Sequence, residues 1–266
     1  MYNYCRITSL ACCIKDGTMV KRARDKLKDG QRKVPLKELG VDLKAFLDAK
    51  DLIDYHGINR NLIKAKFVGA LAASRWTLWR FKLIYELDQA FPNDTYITHN
   101  KKVSEHHLSF CPELIKETEW VKNKKFERDP GIQHAEEFHI NYRDAYSYYS
   151  KIWDNYHIEA VMETDEYQNK WFTDKVGKCL ATGKPFVLLS GPDSLENLKK
   201  MGFKTYSEFM DESYDRCTNP GQRIKYMIAS LKEAYQHDNR EQILGPIREI
   251  ASENVEVYRS YVDSTT

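Results

Sequence analysis

Glu163, Thr164 and Asp165 follow directly on an apolar stretch, Ile158 to Met162, and Thr173, Asp174 and Lys175 stand at the start of the next amphipathic segment. In parallel α/β proteins this is the strand-to-helix junction where ligands sit, because a helix N-terminus offers unpaired amides and the positive end of its dipole. A carboxylate placed there can take a sugar diol, and a lysine beside the helix start can neutralise a diphosphate. A second junction, Ser190, Gly191, Pro192, Asp193 and Ser194, has a glycine that lets backbone approach a ligand closely. Capped helices follow strands in every α/β protein, so the pattern alone leaves a structural role and a ligand role equally open.

The flanking segments have the periodicities needed to position such junctions. Ile158 to Met162 reads as a strand carrying one charge, Glu159. Thr173 is placed to cap a helix whose inner face is Val176, Cys179 and Leu180, with Gly183 as its left-handed stop. Pro185 precedes FVLLS, a strand apolar on both faces and therefore expected to be central and parallel. Asp193 with Glu196 three residues later predicts a capping-box start for SLENLKKM, which Gly202 ends.

Upstream, KFVGALA predicts a strand. Ser74 is placed to cap a helix facing inward through Leu78, Phe81, Leu83, Ile84 and Leu87, and Thr95 to Thr98 predicts a second strand, giving a βαβ unit. Leu43, Phe46, Leu47 and Leu52 repeat at helical spacing after Asp42, which is placed as an N-cap, and Gly57 marks the stop. A short helix over Glu113 to Val121 and a tyrosine-rich helix with Tyr142, Tyr146, Tyr148 and Tyr149 are expected in the middle of the chain. Asn219 and Pro220 open a periodic helix through Ile224, Met227, Ile228, Leu231 and Tyr235, and Pro246 is expected to begin a last one.

The chain has 266 residues, 42% of them hydrophobic, enough for one large α/β domain or two small ones. Lysine and arginine number 41 against 39 acidic residues, so the net charge of +2 exerts no global pull toward nucleic acid or membrane. Residues 15 to 33 are the exception. This basic stretch reads as a solvated surface or as a segment contacting the phosphates of a nucleic acid or a lipid head group. No apolar run approaches the roughly 20 residues of a membrane span, and the polar opening Met1 to Arg6 is unlike a signal peptide. A cytoplasmic location without membrane contact is the expectation. Six cysteines without a CxxC pair suit reduced thiols. His106, His107, His134 and His139 lack the i, i+4 spacing of a helical zinc site, so no metal is expected.

The junction residues belong to a longer ordered series: Glu163-Thr164, Phe172-Thr173-Asp174-Lys175, Gly183-Lys184-Pro185-Phe186, Gly191, Leu195, Leu198, Gly202 to Tyr206, and Asp211 to Asp215. The run from Tyr148 to Asp215 that contains it resembles the C-terminal half of a family of glycosyltransferase-like proteins of tailed bacteriophages and large algal viruses. KFVGALAASRWTLWRFKLIYEL resembles, more loosely, the same family's strand and arginine-bearing turn, with Arg75 and Arg80 in the arginine positions. The sequence departs from the pattern at Asp174, where the family has glutamate, and at Cys179, where the family's lysine-proline pair keeps only its lysine, Lys178. The turn's proline and histidine are also missing.

The resemblance implies an α/β fold of GT-B type, with a Rossmann-like C-terminal lobe and a reduced, helix-rich N-terminal lobe. Residues 1–150 would form the acceptor side and 151–240 the nucleotide-sugar side, with 241–266 a helix packing back on the first lobe. It implies sugar transfer from a nucleotide sugar, a co-substrate, with no further cofactor. Glu163 would bind the ribose. Lys175 and Arg75 would neutralise the diphosphate, and Thr164, Thr173, Asp174 and Gly191 would complete the donor site. A hydroxymethylated base in double-stranded viral DNA is one expected acceptor, whose phosphates residues 15 to 33 with Lys122, Lys124 and Lys125 would follow. Asp51, Asp54, His56 and His99 are candidate bases between which the sequence does not choose. DESYD is expected to cap and hydrogen-bond. The alternative is a nucleotide- or nucleic-acid-binding protein that keeps the fold without turnover.

Overall fold

Lys66 stands opposite Tyr156 where two strands distant in sequence pair in parallel: β1 (Lys66–Ala72) and β3 (Tyr156–Met162). The structure is a computed structural model that describes residues 46–47, 49–55, 65–72, 78–99, 120, 153–163, 172–236 and 240–264. Around the central pair, β2 (Thr95–His99) adds to β1 and β4 (Phe186–Leu189) adds to β3, so four parallel strands lie in the order β2-β1-β3-β4. The boundary expected at residue 150 falls within the connection from β2 to β3. Strands from both sides of it make one sheet.

Parallel neighbours require crossovers, and right-handed crossovers running outward in opposite directions place their helices on opposite faces. Helix α1 (Leu78–Ala90) carries the chain from β1 to β2, and α2 (Asp174–Thr182) carries it from β3 to β4. Their packing partners differ accordingly. α1 packs on α4 (Pro220–Gln236), whereas α2 packs on α5 (Arg240–Asp263) and on the 3-10 turn Lys50–Tyr55. A short α3 (Ser194–Lys200) follows β4.

The expected inward faces are buried: Phe81, Leu83, Ile84 and Leu87 of α1, Val176, Cys179 and Leu180 of α2, and Ile224, Met227, Ile228 and Leu231 of α4. Tyr235 extends the α4 face, with its ring 5.0 Å from Phe67 and 5.1 Å from Phe91. Phe46 and Leu52 are buried as well, and the Tyr258 hydroxyl of α5 donates to the Phe46 carbonyl at 2.8 Å. No helix among the described residues is long and apolar enough to cross a membrane.

Two expectations need correction. FVLL is parallel and buried, but β4 is the outermost described strand rather than a central one. Its apolar character comes from cover: α4 packs over it, the Tyr206 ring stands edge-on to Phe186, and the outward Leu188 amide donates to the Tyr214 hydroxyl at 3.4 Å. The last helix begins at Arg240, with Pro246 inside it. Proline's fixed φ is compatible with a helix, and the lost amide bond is outweighed by burial of Leu244, Ile247, Ala251 and Val255. The expected caps Asp42 and Ser74, the basic residues 15 to 33 with Lys122, Lys124 and Lys125, and the tyrosine-rich segment lie outside the described residues. So do Gly57, His106, His107, His134 and His139, and of Glu113 to Val121 only Trp120 is described.

Gly69 of β1 is a point of close approach to the Tyr156 ring of β3. A Cβ there would lie 2.4 Å from two carbons of the Tyr156 ring, which is itself stacked on Tyr96 at 5.6 Å. Glycine in a strand otherwise costs about 0.5–1 kcal/mol relative to alanine, so only this approach accounts for it. Gly69→Ala is therefore expected to destabilise by about 1–3 kcal/mol through overpacking, read as a fall in Tm of about 2–4 °C per kcal/mol. A Tm equal to or above that of the wild type would refute the contact.

Candidate functional site

The chain leaves β1 toward one edge of the sheet and β3 toward the other, so their carboxyl ends flank the crevice where open α/β sheets bind ligands. Glu163 stands at that point. Its amide continues the ladder by donating to the Leu189 carbonyl at 2.9 Å, and its own carbonyl accepts from Arg80 Nη2 at 2.9 Å. Arg80, near the start of α1, thereby ties the exit of β1 to the exit of β3.

Thr173 is the N-cap of α2, as expected, with extended backbone at φ −121° and ψ −172°. Its hydroxyl accepts from the Lys175 amide at 3.3 Å and from Lys175 Nζ at 3.1 Å, and donates to Glu163 Oε2 at 2.6 Å. Glu163 Oε1 accepts from the Thr173 amide at 3.0 Å, and Lys175 Nζ lies 3.7 Å from Oε2. Asp174 pairs with Lys178 at 2.6 Å. The helix ends at Gly183, left-handed at φ 69°, as its residue type demands.

Burial lowers the Lys175 ammonium from its ordinary range, Glu163 and Asp174 oppose that, and Arg80 and Lys178 reinforce it. Burial acts against ionisation of Asp174, but Lys178 and Lys175 overcome it and hold the carboxyl below its usual range. Three cations, Arg80, Lys175 and Lys178, thus surround the first turn of α2 beside two carboxylates. An arriving anion meets a positive helix end and a lysine whose charged form it would favour.

The structure brings together Glu163, Thr173, Asp174 and Lys175 and adds Arg80. Thr164, Arg75 and His56 lie outside the described residues. Asp51 and Asp54 fall in the turn Lys50–Tyr55, and His99 closes β2.

Gly191 belongs to a separate loop at the end of β4, and here the expected capping box is corrected. Asp193 is left-handed at φ 60° and makes no side-chain cap; Asp215 Oδ2 instead accepts from the Leu195 amide at 3.0 Å and the Glu196 amide at 3.4 Å. The Asp215 carbonyl holds the Asp193 amide at 2.8 Å. Buried Arg223 of α4 binds the carbonyls of Ser190 and Cys217, fixing both loops. DESYD does cap and hydrogen-bond: Asp211 holds Ser213, and Glu212 holds the Tyr206 amide and Thr205 hydroxyl at 2.7 Å. Asp215 and Arg223 act on partners far along the chain, a relation no local spacing signals.

Beside α3 lies a cleft of about 390 Å³ lined by Asp193, Glu196, Asp211, Glu212 and Asp215 against Lys199 and Arg216. Its excess of carboxylates repels a diphosphate, so the cleft and the cationic α2 start are electrostatically distinct. No protein-family model, curated protein or solved structure matches the chain.

Burial pushes the Asp215 carboxyl up to about 6, with Asp193 adding to it and the Leu195 and Glu196 amides and Arg223 opposing. The ordinary value is about 3.9, so the folded state holds an extra proton between the two and stability falls as pH rises from about 4 to 6. Asp215→Asn keeps an acceptor for the α3 amides and removes the titration. Relative to wild type, it is expected to gain on the order of 2 kcal/mol across that window, measured by urea unfolding. A difference independent of pH would refute the assignment.

Proposed function

We propose that the protein is a glycosyltransferase whose nucleotide-sugar donor lies at the carboxyl ends of β1 and β3, with its diphosphate at the first turn of α2. The observation that carries the reading is the cluster of Arg80, Lys175 and Lys178 at this switch point, around a capped helix start. The ordered series from Glu163 to Asp215 supports it by resemblance. In the transfer, the bond from the anomeric carbon to the diphosphate oxygen breaks with its electron pair. The acceptor oxygen bonds to that carbon and gives its proton to a base, and the cations stabilise the departing diphosphate.

A GT-B arrangement requires a second lobe. The strands β1 and β2, expected in the N-terminal lobe, share one parallel sheet with β3 and β4. The acceptor named by this reading is a hydroxymethylated base in duplex DNA, approached through the basic residues 15 to 33. A second reading, nucleotide binding without turnover, is favoured by one observation: Asp174, standing where the resembling family has glutamate, is tied to Lys178.

Thermal unfolding with UDP, GDP, CMP and their sugars tests both. A donor nucleotide at 100 times its dissociation constant is expected to stabilise by about 2.7 kcal/mol. Lys175→Met, which keeps the packing stem, is expected to abolish the shift. Stabilisation without release of sugar or transfer to any acceptor would favour the second reading; no shift with any nucleotide would overturn both.

A further inference from the structure

We propose that Glu163 and Thr173 are positioning residues for Lys175, forming a relay that presents its ammonium at the start of α2, and that Glu163 itself makes no contact with ligand. The inference deepens the reading above and rests on it only for what Lys175 meets.

The Thr173 hydroxyl has one donor and two acceptor positions, and all three are assigned. The proton goes to Glu163 Oε2 at 2.6 Å, a charge-assisted length, and the lone pairs take the Lys175 amide and Lys175 Nζ. The rotor is thereby fixed, and with it the end of the lysine. Glu163 is held at each polar position: its amide on Leu189, its carbonyl by Arg80, Oε1 by the Thr173 amide and Oε2 by the Thr173 hydroxyl.

Accessibility divides the two ends. The Glu163 side chain is 0% exposed, whereas that of Lys175 retains 24%. A sugar diol would reach the carboxylate only by displacing the donors that cap α2, while an anion meets Lys175 without breaking the relay. Among the described residues, the charged groups facing Lys175 include Arg80 from α1, Glu163 beyond β3, and Asp174 and Lys178 on α2 itself. Glu163 favours the charged form of Lys175, so loss of its charge must appear in the lysine's titration.

A ligand-free experiment reads the relay directly. The ammonium of Lys175 is titrated by NMR in wild type, Glu163→Gln, Thr173→Val and Thr173→Ser, with near-UV circular dichroism confirming the native fold of each. Glu163→Gln is expected to lower the midpoint by about one pH unit, the scale of a lost opposite charge at this range. Thr173→Val is expected to move it in the same direction, and Thr173→Ser to match wild type. Midpoints unchanged in both Glu163→Gln and Thr173→Val would overturn the relay.

Calorimetric titration with inorganic pyrophosphate reads its use. Thr173→Val and Lys175→Met are expected to weaken binding about equally, and the double variant no further, because they interrupt one path. Additive losses, or Thr173→Val binding as well as wild type, would overturn the positioning role. If wild type takes up no pyrophosphate while the NMR midpoints shift as described, the relay stands and the nucleotide-sugar reading alone falls.

Discussion

The parallel pairing of β1 with β3 is the constraint on which the rest of the molecule depends. It joins segments separated by a long stretch of chain, and a parallel pair cannot be closed by a tight turn. The pairing is possible because Gly69 leaves room for the Tyr156 ring, which bridges to Tyr96 on β2. Lys184 secures the same ring from beyond α2: its ammonium lies 3.9 Å from the ring centroid and donates to the carbonyls of Trp153 and Tyr156. Were β1 and β3 apart, there would be no switch point. Arg80, which follows β1, would also have no access to the Glu163 carbonyl.

Among the described residues, buried charge other than Glu159 of β3 stands near the ends of strands and helices, where the chain changes direction. Lys184 holds the entry to β3, Arg223 the exits of β4 and of the turn Ser213–Arg216, Glu163 the start of α2, and Asp215 the start of α3. Each meets backbone groups that the adjoining helix or strand leaves unpaired. A buried polar group without a partner is costly, so these side chains make loops as well defined as the elements they join. The two acidic caps differ in setting. Glu163 has Lys175 and Arg80 beside it, whereas burial, with Asp193 adding to it, pushes the Asp215 carboxyl up to about 6 in a cleft rich in carboxylates. The same device therefore leaves one helix start cationic and the other acidic.

Much of the fold was legible because much of it is local. The apolar runs, the helical spacings, Thr173 as cap and Gly183 as stop depend on residues within one or two turns, and the four described strands, α2, α3 and α4 formed where their patterns placed them. Two readings that erred were equally local in method. FVLL looked central because both its faces are apolar, but the pattern reports cover, and helices with aromatic rings supply cover at a sheet edge. Pro246 looked like a beginning, since proline favours a first turn, yet packing on both sides of it carries the helix through.

For the candidate site, residue types were readable and their relations were not. Glu163, Thr173 and Lys175 were singled out from strand-end and helix-start positions, as was the capping character of DESYD. That Asp215 rather than Asp193 caps α3 depends on a contact across twenty residues, and that Arg80 meets Glu163 depends on one across eighty-three. The sequence by itself determined the elements and the chemistry at their ends, because helix and strand periodicity and capping are short-range. Tertiary structure alone decided the strand order, the switch point and the hydrogen bonds that bring Glu163 to the start of α2, because these follow from which distant segments bury their apolar faces together.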